Sequence, residues 1–351
     1  MNRADYHNIL IIKPSALGDI VHALPVLSSL RASFPKSRLS WLVRKEFAPL
    51  LECAEGLDNI ITFDRKEMGR WYRNRRALMS LLELRNQLRA ARFDLVLDLQ
   101  GLLRSAIFAW MTGCPDRIGM REAREGAHLF HTRIIDRPAG TVHLLDYYHS
   151  ILQAIGASVR LTECPLTVPP AAENSILQKM QLYGLRPKQF LVLIASSAHA
   201  SKCWPPQHFA AAAESLHKRF GWDTAAVGTA GDKTAIEAIQ SCCRIPVANL
   251  AGQTSIPELI ALFRHSAAVI SNDTGPGHIA LAVKSPAVLV FGPTNPLRLG
   301  PYRRPECIAA IDPDKRGCAV KSSNPAYRIE HVPAEMVIEK ILEQIPAVQC
   351  L

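Results

Sequence analysis

The stretch of sequence with the clearest chemical character is Ser271-Asn-Asp-Thr-Gly-Pro-Gly-His278, which lies between two apolar runs. Gly275 and Gly277 allow the backbone to approach a ligand closely, and the proline between them suits the first turn of a helix. The N–H groups at a helix start favour an anion. An ordinary capped turn is the alternative, but Asp273 and His278 in so short a turn favour a binding site.

A second candidate is the segment Ser196-Ser-Ala-His-Ala-Ser-Lys-Cys-Trp-Pro-Pro206, which follows another apolar run. The hydroxyls of Ser196 and Ser197 and the ammonium of Lys202 would precede a helix whose first turn holds a proline. Such a loop could bind a diphosphate, with Lys202 acting as a point charge. The alternative is that Lys202 is an ordinary solvated surface lysine.

A third candidate lies near the N-terminus, where an apolar run leads into Lys13-Pro-Ser-Ala-Leu-Gly-Asp19 and then into a helical pattern. Gly18 permits a tight turn, and Asp19 at the helix start could act either as a general base or as a helix cap. The helix dipole would weaken a carboxylate there as a base, whereas desolvation would strengthen it. His22, one turn later on the same face, is a rival base, although an isolated histidine is more often structural.

The three candidates follow strands of a recurring pattern, in which short apolar runs alternate with segments of helical period. The predicted strands are Ile9–Ile12, Leu39–Val43, Asn59–Phe63, Leu95–Leu99, Phe190–Ile194, Asp223–Val227, Ala267–Ile270 and Ala287–Phe291. The predicted helices include Trp71–Ala91, Gln207–Phe220 and Ile256–His265. Continuous apolar strands that alternate with helices indicate parallel sheets covered on both faces, and the pattern runs twice.

The repeated pattern predicts an α/β protein of two doubly wound domains, at residues 1–165 and 172–330, with a helix at 333–346. A linker is predicted at Thr162–Pro170, which contains three prolines and has no helical period, and Pro293–Pro325 is predicted to be irregular. Ligands of such sheets bind beyond the carboxyl ends of the strands. Two facing domains would therefore place the candidate residues around one cleft.

The charge balance points to an anionic partner. The 351 residues include 41 Lys and Arg against 31 Asp and Glu, which gives a formal net charge of +10. Such an excess fits nucleic acid, a phosphorylated substrate or a membrane surface. Many of the basic residues lie in Arg65–Arg92, next to Trp71 and Tyr72. This segment could be a solvated face, a surface for phosphates and lipid headgroups, or a nucleic-acid stripe.

Several classes of protein are disfavoured by motifs that the sequence lacks. There is no GxGxxG after a strand and no GxxxxGK[ST], which argues against a dinucleotide enzyme and a P-loop NTPase. There is no HExxH and no EF-hand spacing, so no metal is expected. The nine cysteines form no CxxC pair and fit a reducing cytosol, and no run approaches the ~20 apolar residues of a membrane span.

Five blocks of the sequence resemble the signature of glycosyltransferase family nine, the lipopolysaccharide heptosyltransferases. The blocks, in the family's order, are Lys13–Pro25, Asp98–Ser105, Ser201–Pro205, Asn272–His278 and Phe291–Pro296. The first two are closer to the heptosyltransferase I branch than to heptosyltransferase II. Cys203 and Gly277 depart from the residues that are common in the family at those positions.

This resemblance implies a GT-B fold, with two Rossmann-like domains facing an interdomain cleft. It implies an inverting transfer, without metal or cofactor, of heptose from ADP-heptose to a Kdo residue of Kdo2-lipid A. The enzyme would then be cytoplasmic and peripheral at the inner face of the inner membrane, with no nucleic acid as partner.

The resemblance also implies roles for individual residues, with Asp19 as the catalytic base. The residues implied in binding the nucleotide sugar are Ser196, Ser197, Lys202, Asp232, Asp273, Thr274, Gly275, Gly277 and His278. Within this set Lys202 would bind phosphate and Asp232 the ribose hydroxyls. The residues implied in binding the acceptor are Ser15, Gly18, His22, Gln100 and Arg124. Arg124 would meet an acidic group of the acceptor.

Other functions remain open at this level. One group comprises enzymes of the same architecture: a heptosyltransferase II-like enzyme, a transferase of another ADP- or GDP-sugar, or a nucleotide-sugar epimerase, which would need no acceptor. The other is a non-enzymatic basic module that binds nucleic acid. The sequence contains no recognisable nucleic-acid reading element, which argues against this last function.

Overall fold

The chain divides into two compact units, each built on one parallel sheet. A computed structural model describes residues 6–69, 72–160 and 165–345. The first unit comprises Met1–Thr167 and the second comprises Val168–Leu351. Each unit contains a six-stranded sheet whose hydrogen-bonded neighbours all run parallel.

Strands and helices alternate in the first unit. Its strands are β1 (Asn8–Ile12), β2 (Arg38–Arg44), β3 (Asn59–Phe63), β4 (Leu95–Asp98), β5 (Arg117–Met120) and β6 (Arg133–Ile135). Its helices are α1 (Leu17–Ser33), α2 (Ala48–Glu52), α3 (Arg65–Met68), α4 (Arg75–Ala90), α5 (Leu103–Met111) and α6 (Leu144–Ala154). The strand order in the sheet is β3-β2-β1-β4-β5-β6, the doubly wound order of a Rossmann fold.

The second unit repeats this topology. Its strands are β7 (Phe190–Ile194), β8 (Asp223–Ala226), β9 (Val247–Asn249), β10 (Ala268–Asn272), β11 (Ala287–Val290) and β12 (Ile308–Ala309). Its helices are α7 (Pro170–Leu182), α8 (Pro206–Phe220), α9 (Lys233–Cys242), α10 (Ile256–His265), α11 (Gly275–Ala282), α12 (Pro296–Leu299) and α13 (Ala334–Gln344). The strand order β12-β11-β10-β7-β8-β9 is the same doubly wound order read from the other edge.

The prediction of two doubly wound Rossmann-like domains is confirmed. The central strands are mainly apolar because helices cover both faces of each sheet. Ile9 to Ile12 of β1 are fully buried, and so are the four residues of β11. In each sheet the order reverses beside the first strand, between β1 and β4 and between β7 and β10. Loops that leave such a reversal diverge and form a crevice where ligands bind.

The predicted boundaries need some corrections. The helix predicted from Trp71 begins at Arg75, because Asn74 caps it and accepts a hydrogen bond from the Arg76 amide at 2.9 Å; Trp71 itself lies outside the described residues. The stretch Pro293–Pro325 is not wholly irregular. It contains α12 and β12, an edge strand of the second sheet, which pairs with β11.

Two residues of the predicted linker Thr162–Pro170 are hydrogen-bonded within the first unit. The Thr167 amide donates to the Cys53 carbonyl oxygen at 2.7 Å, and the Glu55 amide donates to Pro165 at 3.0 Å; residues 162–164 lie outside the described part. At the other end of the chain, α13 packs on α8 and β11 of the second unit, where Val337 and Ile341 are fully buried.

None of the helices in the described ranges combines the length and the apolar character that a membrane span requires.

Candidate functional site

In the second unit, three predicted residues meet in one ion cluster. Lys202 lies on the loop after β7, Asp273 follows β10, and His278 lies in α11. Lys202 Nζ is 2.6 Å from one carboxylate oxygen of Asp273, and His278 Nε2 is 3.3 Å from the other. The side chain of Asp273 is only 9% exposed, whereas that of Lys202 is 24% exposed. Lys202 is therefore not the solvated lysine of the alternative interpretation.

The partners of Asp273 keep it ionised. Burial alone would raise the pKa of this carboxyl. The hydrogen bond and positive charge of His278, together with the charge of Lys202, outweigh burial and lower the pKa of Asp273 to about 2. At neutral pH the cluster therefore holds a fixed negative charge inside, with the Lys202 ammonium as its more accessible member.

The start of α11 lies directly after this aspartate. Thr274 is the N-cap residue, and Gly275 and Gly277 lie in the first turn, whose amides have no intrahelical acceptor. A Cβ on Gly277 would lie 2.5 Å from Ser271 Oγ, so only glycine lets the helix start approach the end of β10 this closely. These amides, the positive end of the helix dipole and Lys202 together form a corner suited to an anion.

Asn272, which was not predicted to have a role, holds this corner in place. Its side chain is fully buried at the end of β10. Its Oδ1 accepts a hydrogen bond from the Trp204 amide at 2.9 Å, and its Nδ2 donates to the carbonyl oxygen of Ala195. Asn272 thereby ties the loop that carries Lys202 to the end of the strand that precedes Asp273. The signal in the sequence that could have pointed to this role is an asparagine at the end of an otherwise apolar strand.

The other predicted nucleotide-sugar residues lie on neighbouring loops. Ser196 and Ser197 follow β7 and are half-buried. Asp232 lies on the loop after β8, and its Oδ2 accepts hydrogen bonds from the Thr229 amide at 2.7 Å and the Thr229 hydroxyl at 2.8 Å. The structure thus gives Asp232 a capping function that the sequence did not predict. Across the described ranges, no three His, Cys, Asp or Glu side chains are grouped to hold a metal ion.

In the first unit, Asp19 is the third residue of α1, one position after Gly18. Its Oδ2 accepts a hydrogen bond from the Ala16 amide at 3.0 Å. One of its two carboxylate oxygens therefore caps the helix, as the capping interpretation predicts. Nearby, Lys13 is almost fully buried and donates to the Leu99 carbonyl oxygen at 3.1 Å. Burial lowers the pKa of Lys13, and the negative charges of Asp19 and a second aspartate, Asp98, act in the opposite direction.

Asp98, at the end of β4, organises the loop beside this helix start. It is fully buried, and its Oδ1 accepts hydrogen bonds from the amides of Gln100 and Gly101 at 3.0 and 3.2 Å. Its Oδ2 accepts from the Ser105 hydroxyl at 2.9 Å and lies 3.1 Å from His131 Nε2. Neither Asp98 nor His131 was predicted to have a function. The two residues lie far apart along the chain, so the sequence does not show that they meet.

The predicted acceptor residues lie on the loops at the carboxyl edge of the first sheet and in α1. The Ser15 amide donates to Gln100 Oε1 at 3.3 Å, which joins the loops after β1 and β4 across the reversal point. Arg124 follows β5 and is exposed, and its amide donates to the Gly101 carbonyl oxygen at 2.9 Å. His22 is in α1, its ring 5.9 Å from that of His143.

Comparisons with known proteins agree with this architecture. The family model for glycosyltransferase family 9 (heptosyltransferase) matches residues 81–325, a range that contains Lys202 and Asp273 but not Asp19. Lipopolysaccharide core heptosyltransferase OpsX of Haemophilus influenzae is 26% identical over 307 residues, which cover 87% of this chain and 84% of that protein.

Two solved structures share the fold at 22% sequence identity. The glycosyl transferase family 9 protein from Veillonella parvula aligns with a TM-score of 0.81, covering 97% of this chain and 99% of its own. E. coli heptosyltransferase WaaC, solved with ADP, aligns with a TM-score of 0.75, covering 96% of this chain and 99% of its own. Both alignments extend over both units of the chain.

Proposed function

Because the chain belongs to glycosyltransferase family 9, the heptosyltransferases, we propose that it transfers heptose from ADP-heptose to a Kdo residue of the lipopolysaccharide inner core. Kdo2-lipid A is the proposed acceptor. The observation that carries this proposal is the anion corner formed by Lys202 and the start of α11 at the reversal point of the second sheet.

The anion corner fits the diphosphate of the donor. As the glycosidic bond to ADP breaks, negative charge grows on the leaving phosphate, and fixed cations and amide dipoles stabilise that charge without reorganising. Asp273 is itself negative, so the phosphate must meet the Lys202 ammonium and the helix amides. The exposures favour this arrangement, because the side chain of Lys202 is more exposed than the nearly buried side chain of Asp273. The relative WaaC, which was solved with ADP, supports an adenine nucleotide as the leaving group.

Asp19 is the proposed general base. It would take the proton from the acceptor hydroxyl while that oxygen attacks the anomeric carbon from the face opposite ADP, which inverts the configuration. Because Oδ2 of Asp19 already accepts a hydrogen bond from the Ala16 amide, we propose that Oδ1 takes the proton of the acceptor hydroxyl. Ser15, Gln100 and Arg124 would hold the acceptor, with the Arg124 guanidinium opposite its carboxylate.

A transfer assay tests this function. The protein is incubated with ADP-heptose and Kdo2-lipid A in the presence of EDTA, and the lipid product is analysed by mass spectrometry. We expect one added heptose, the release of ADP, and no loss of rate with EDTA. Parallel reactions use Kdo2-lipid A that already carries one heptose, and donor without any acceptor.

The outcomes separate the alternatives. Product on the heptosylated acceptor alone would move the acceptor from Kdo to heptose. Conversion of the nucleotide sugar without an acceptor would indicate an epimerase. No heptose transfer to either lipid would overturn the proposal.

A further inference from the structure

A cavity of about 590 Å³ opens in the first unit between α3, α4 and α5. Met68 of α3, Leu81 of α4 and Ile107 of α5 contribute to its walls. The volume lies within the range of about 300–1,000 Å³ that is typical of small-molecule sites. None of the residues assigned to the donor or to the catalytic base lines it.

The floor of this cavity is part of the domain core. Phe63 and Phe108 lie below it, with their ring centroids 4.9 Å apart, and both side chains are buried. Met68, Leu81 and Met111 are half-buried and pack against the same core cluster. The cavity is therefore preformed and mostly apolar, which suits a hydrocarbon chain better than a sugar or a nucleotide.

The mouth of the cavity is predominantly cationic. Arg65 and Arg104 both line it and are both exposed. One carboxylate, Glu125, also lines it, and its Oε2 accepts a hydrogen bond from the Leu103 amide at 3.3 Å. Two guanidinium groups beside an apolar interior match a ligand that has an anionic group at the base of a hydrocarbon chain.

The cavity continues towards the proposed acceptor site. A smaller depression shares Phe63, Arg65, Arg104 and Phe108 with it and extends to Ser15 and Gln100. Arg65 and Arg104 therefore stand between the hydrocarbon space and the loop that is proposed to hold the acceptor sugar. A ligand with its chain in the cavity and its sugar at that loop would carry sugar, anionic group and chain in that order.

We propose that this cavity receives an acyl chain of the glycolipid acceptor, while Arg65 and Arg104 bind the anionic groups at the base of that chain. This inference rests on the proposed function, because it assigns the lipid part of the same acceptor. It makes the protein sensitive to acylation of the acceptor and not only to its sugars.

The test compares Kdo2-lipid A with the same molecule after its acyl chains have been removed by hydrolysis. We expect the KM of the wild-type protein to be at least about tenfold lower for the acylated acceptor, since each buried methylene contributes about 0.8 kcal/mol. Ile107→Trp, which fills the cavity, should raise the KM for the acylated acceptor and leave the KM for the deacylated one unchanged. Equal wild-type KM values would overturn the inference while the proposed function stood.

A charge substitution provides a second, milder variant with a matched control. Leu78 and Met79 are neighbours on α4 with exposures of 38% and 50%, but only Leu78 lines the cavity. Leu78→Glu should raise the KM for the acylated acceptor, and Met79→Glu should not. Equal effects of the two substitutions would indicate general contact of this face with a lipid surface, and would overturn the proposal of a cavity.

Binding of dansyl-labelled undecanoate gives a readout that needs no transfer. Its fluorescence should rise on binding to the wild-type protein and to Met79→Glu, and this rise should be lost with Ile107→Trp and weakened with Leu78→Glu. If neither acceptor is glycosylated but the probe binds in this pattern, the function has failed and the cavity has not. Probe binding that is unchanged by Ile107→Trp would contradict the cavity assignment itself.

Discussion

At the scale of single residues, the two oxygens of Asp19 allow its two roles to be separated. Asp19→Asn keeps an oxygen that can accept the Ala16 amide but removes the base. We expect turnover to fall roughly 10²- to 10⁴-fold, because proton transfer by a positioned side chain contributes about that much. The dissociation constant of ADP should remain unchanged. Steady-state kinetics and calorimetry measure the two quantities.

His22 provides the control for that substitution. His22→Gln should lower turnover far less than Asp19→Asn if the carboxylate is the base. Turnover at the wild-type level in Asp19→Asn would transfer the role to His22 or to water.

The lowered pKa of Asp273 predicts how the stability of the folded protein depends on pH. Its pKa is lowered from 3.8 to about 2, so its ionisation stabilises the folded state above pH 4, and this contribution is lost as the pH falls towards 2. The shift corresponds to about 2 kcal/mol. We therefore expect the difference in unfolding free energy between the wild-type protein and Asp273→Asn to be smaller at pH 3 than at pH 6. Urea unfolding at the two pH values measures it.

An equal difference at pH 3 and pH 6 would show that Asp273 does not titrate in this range. Glu258 serves as a positive control, because hydrogen bonds from Lys179, Ser175 and Ser255 outweigh its burial and lower its pKa to about 2 as well. Glu258→Gln should show the same direction of change.

At this scale, the residue types of the candidate site could be predicted, but several of their partners could not. A glycine-rich turn with Asp273 and His278 is visible in the sequence, because its members are neighbours in the chain. The pair of Lys202 and Asp273 joins residues 71 positions apart, and the pair of Asp98 and His131 joins residues 33 positions apart. Such pairs are created by the order of strands in a sheet, which local spacing does not determine.

At the scale of elements, α11 depends on Gly277. In Gly277→Ala the new Cβ would lie 2.5 Å from Ser271 Oγ and 2.9 Å from Ser271 Cβ, so the helix start must move away from β10. We expect a loss of about 1–3 kcal/mol in stability, as for other overpacked sites, and weaker ADP binding because the helix amides are displaced. Thermal unfolding and calorimetry with ADP measure the two effects.

A second substitution tests that explanation. Ser271→Gly removes both crowded atoms, so the double variant with Gly277→Ala should recover ADP affinity. If the double variant binds ADP no better than Gly277→Ala alone, a cause other than this contact must weaken binding.

The elements that the sequence reveals are those whose burial is continuous. The central strands read as apolar runs because both of their faces are covered. Strands β5, β6, β9 and β12 were missed, because they have two to four residues each and their composition is mixed. Pairing with a longer neighbour stabilises such strands, and their own residue preferences do not.

At the scale of the whole molecule, the two units use one topology to build two different sites. In each, the loops after the first and fourth strands are bonded across the reversal point, by Ser15 and Gln100 in the first unit and by Lys202 and Asp273 in the second. At the reversal point of the first unit, the groups are the neutral Ser15 and Gln100 and the carboxylate of Asp19. At that of the second unit, they are the Lys202 ammonium and the amides at the start of α11. The same strand order thus positions the proposed base in one unit and the proposed anion site in the other.

The positive charge of the protein is concentrated in one segment, which is suited to contact with a membrane. The segment Arg65–Arg92 contains nine Lys and Arg residues against Glu67 and Glu83, so it supplies seven of the ten net positive charges. It includes α3 and α4, and Tyr72 between these helices and Leu82 of α4 are exposed. Basic side chains beside exposed apolar ones are suited to an anionic lipid surface.

We therefore expect the protein to bind vesicles that contain anionic lipid and to dissociate as salt is raised, because salt screens exposed charges. Replacing Arg73, Arg75 and Arg76 with Gln should weaken this binding about 100-fold at low salt, since each basic residue near such a surface contributes about 1 kcal/mol.

Replacing Lys218, Arg219 and Lys233 of the second unit with Gln is the control, because it removes the same charge and should change binding much less. Vesicle co-sedimentation across a salt series measures both; equal losses in the two triple variants would mean that net charge, and not this segment, drives association.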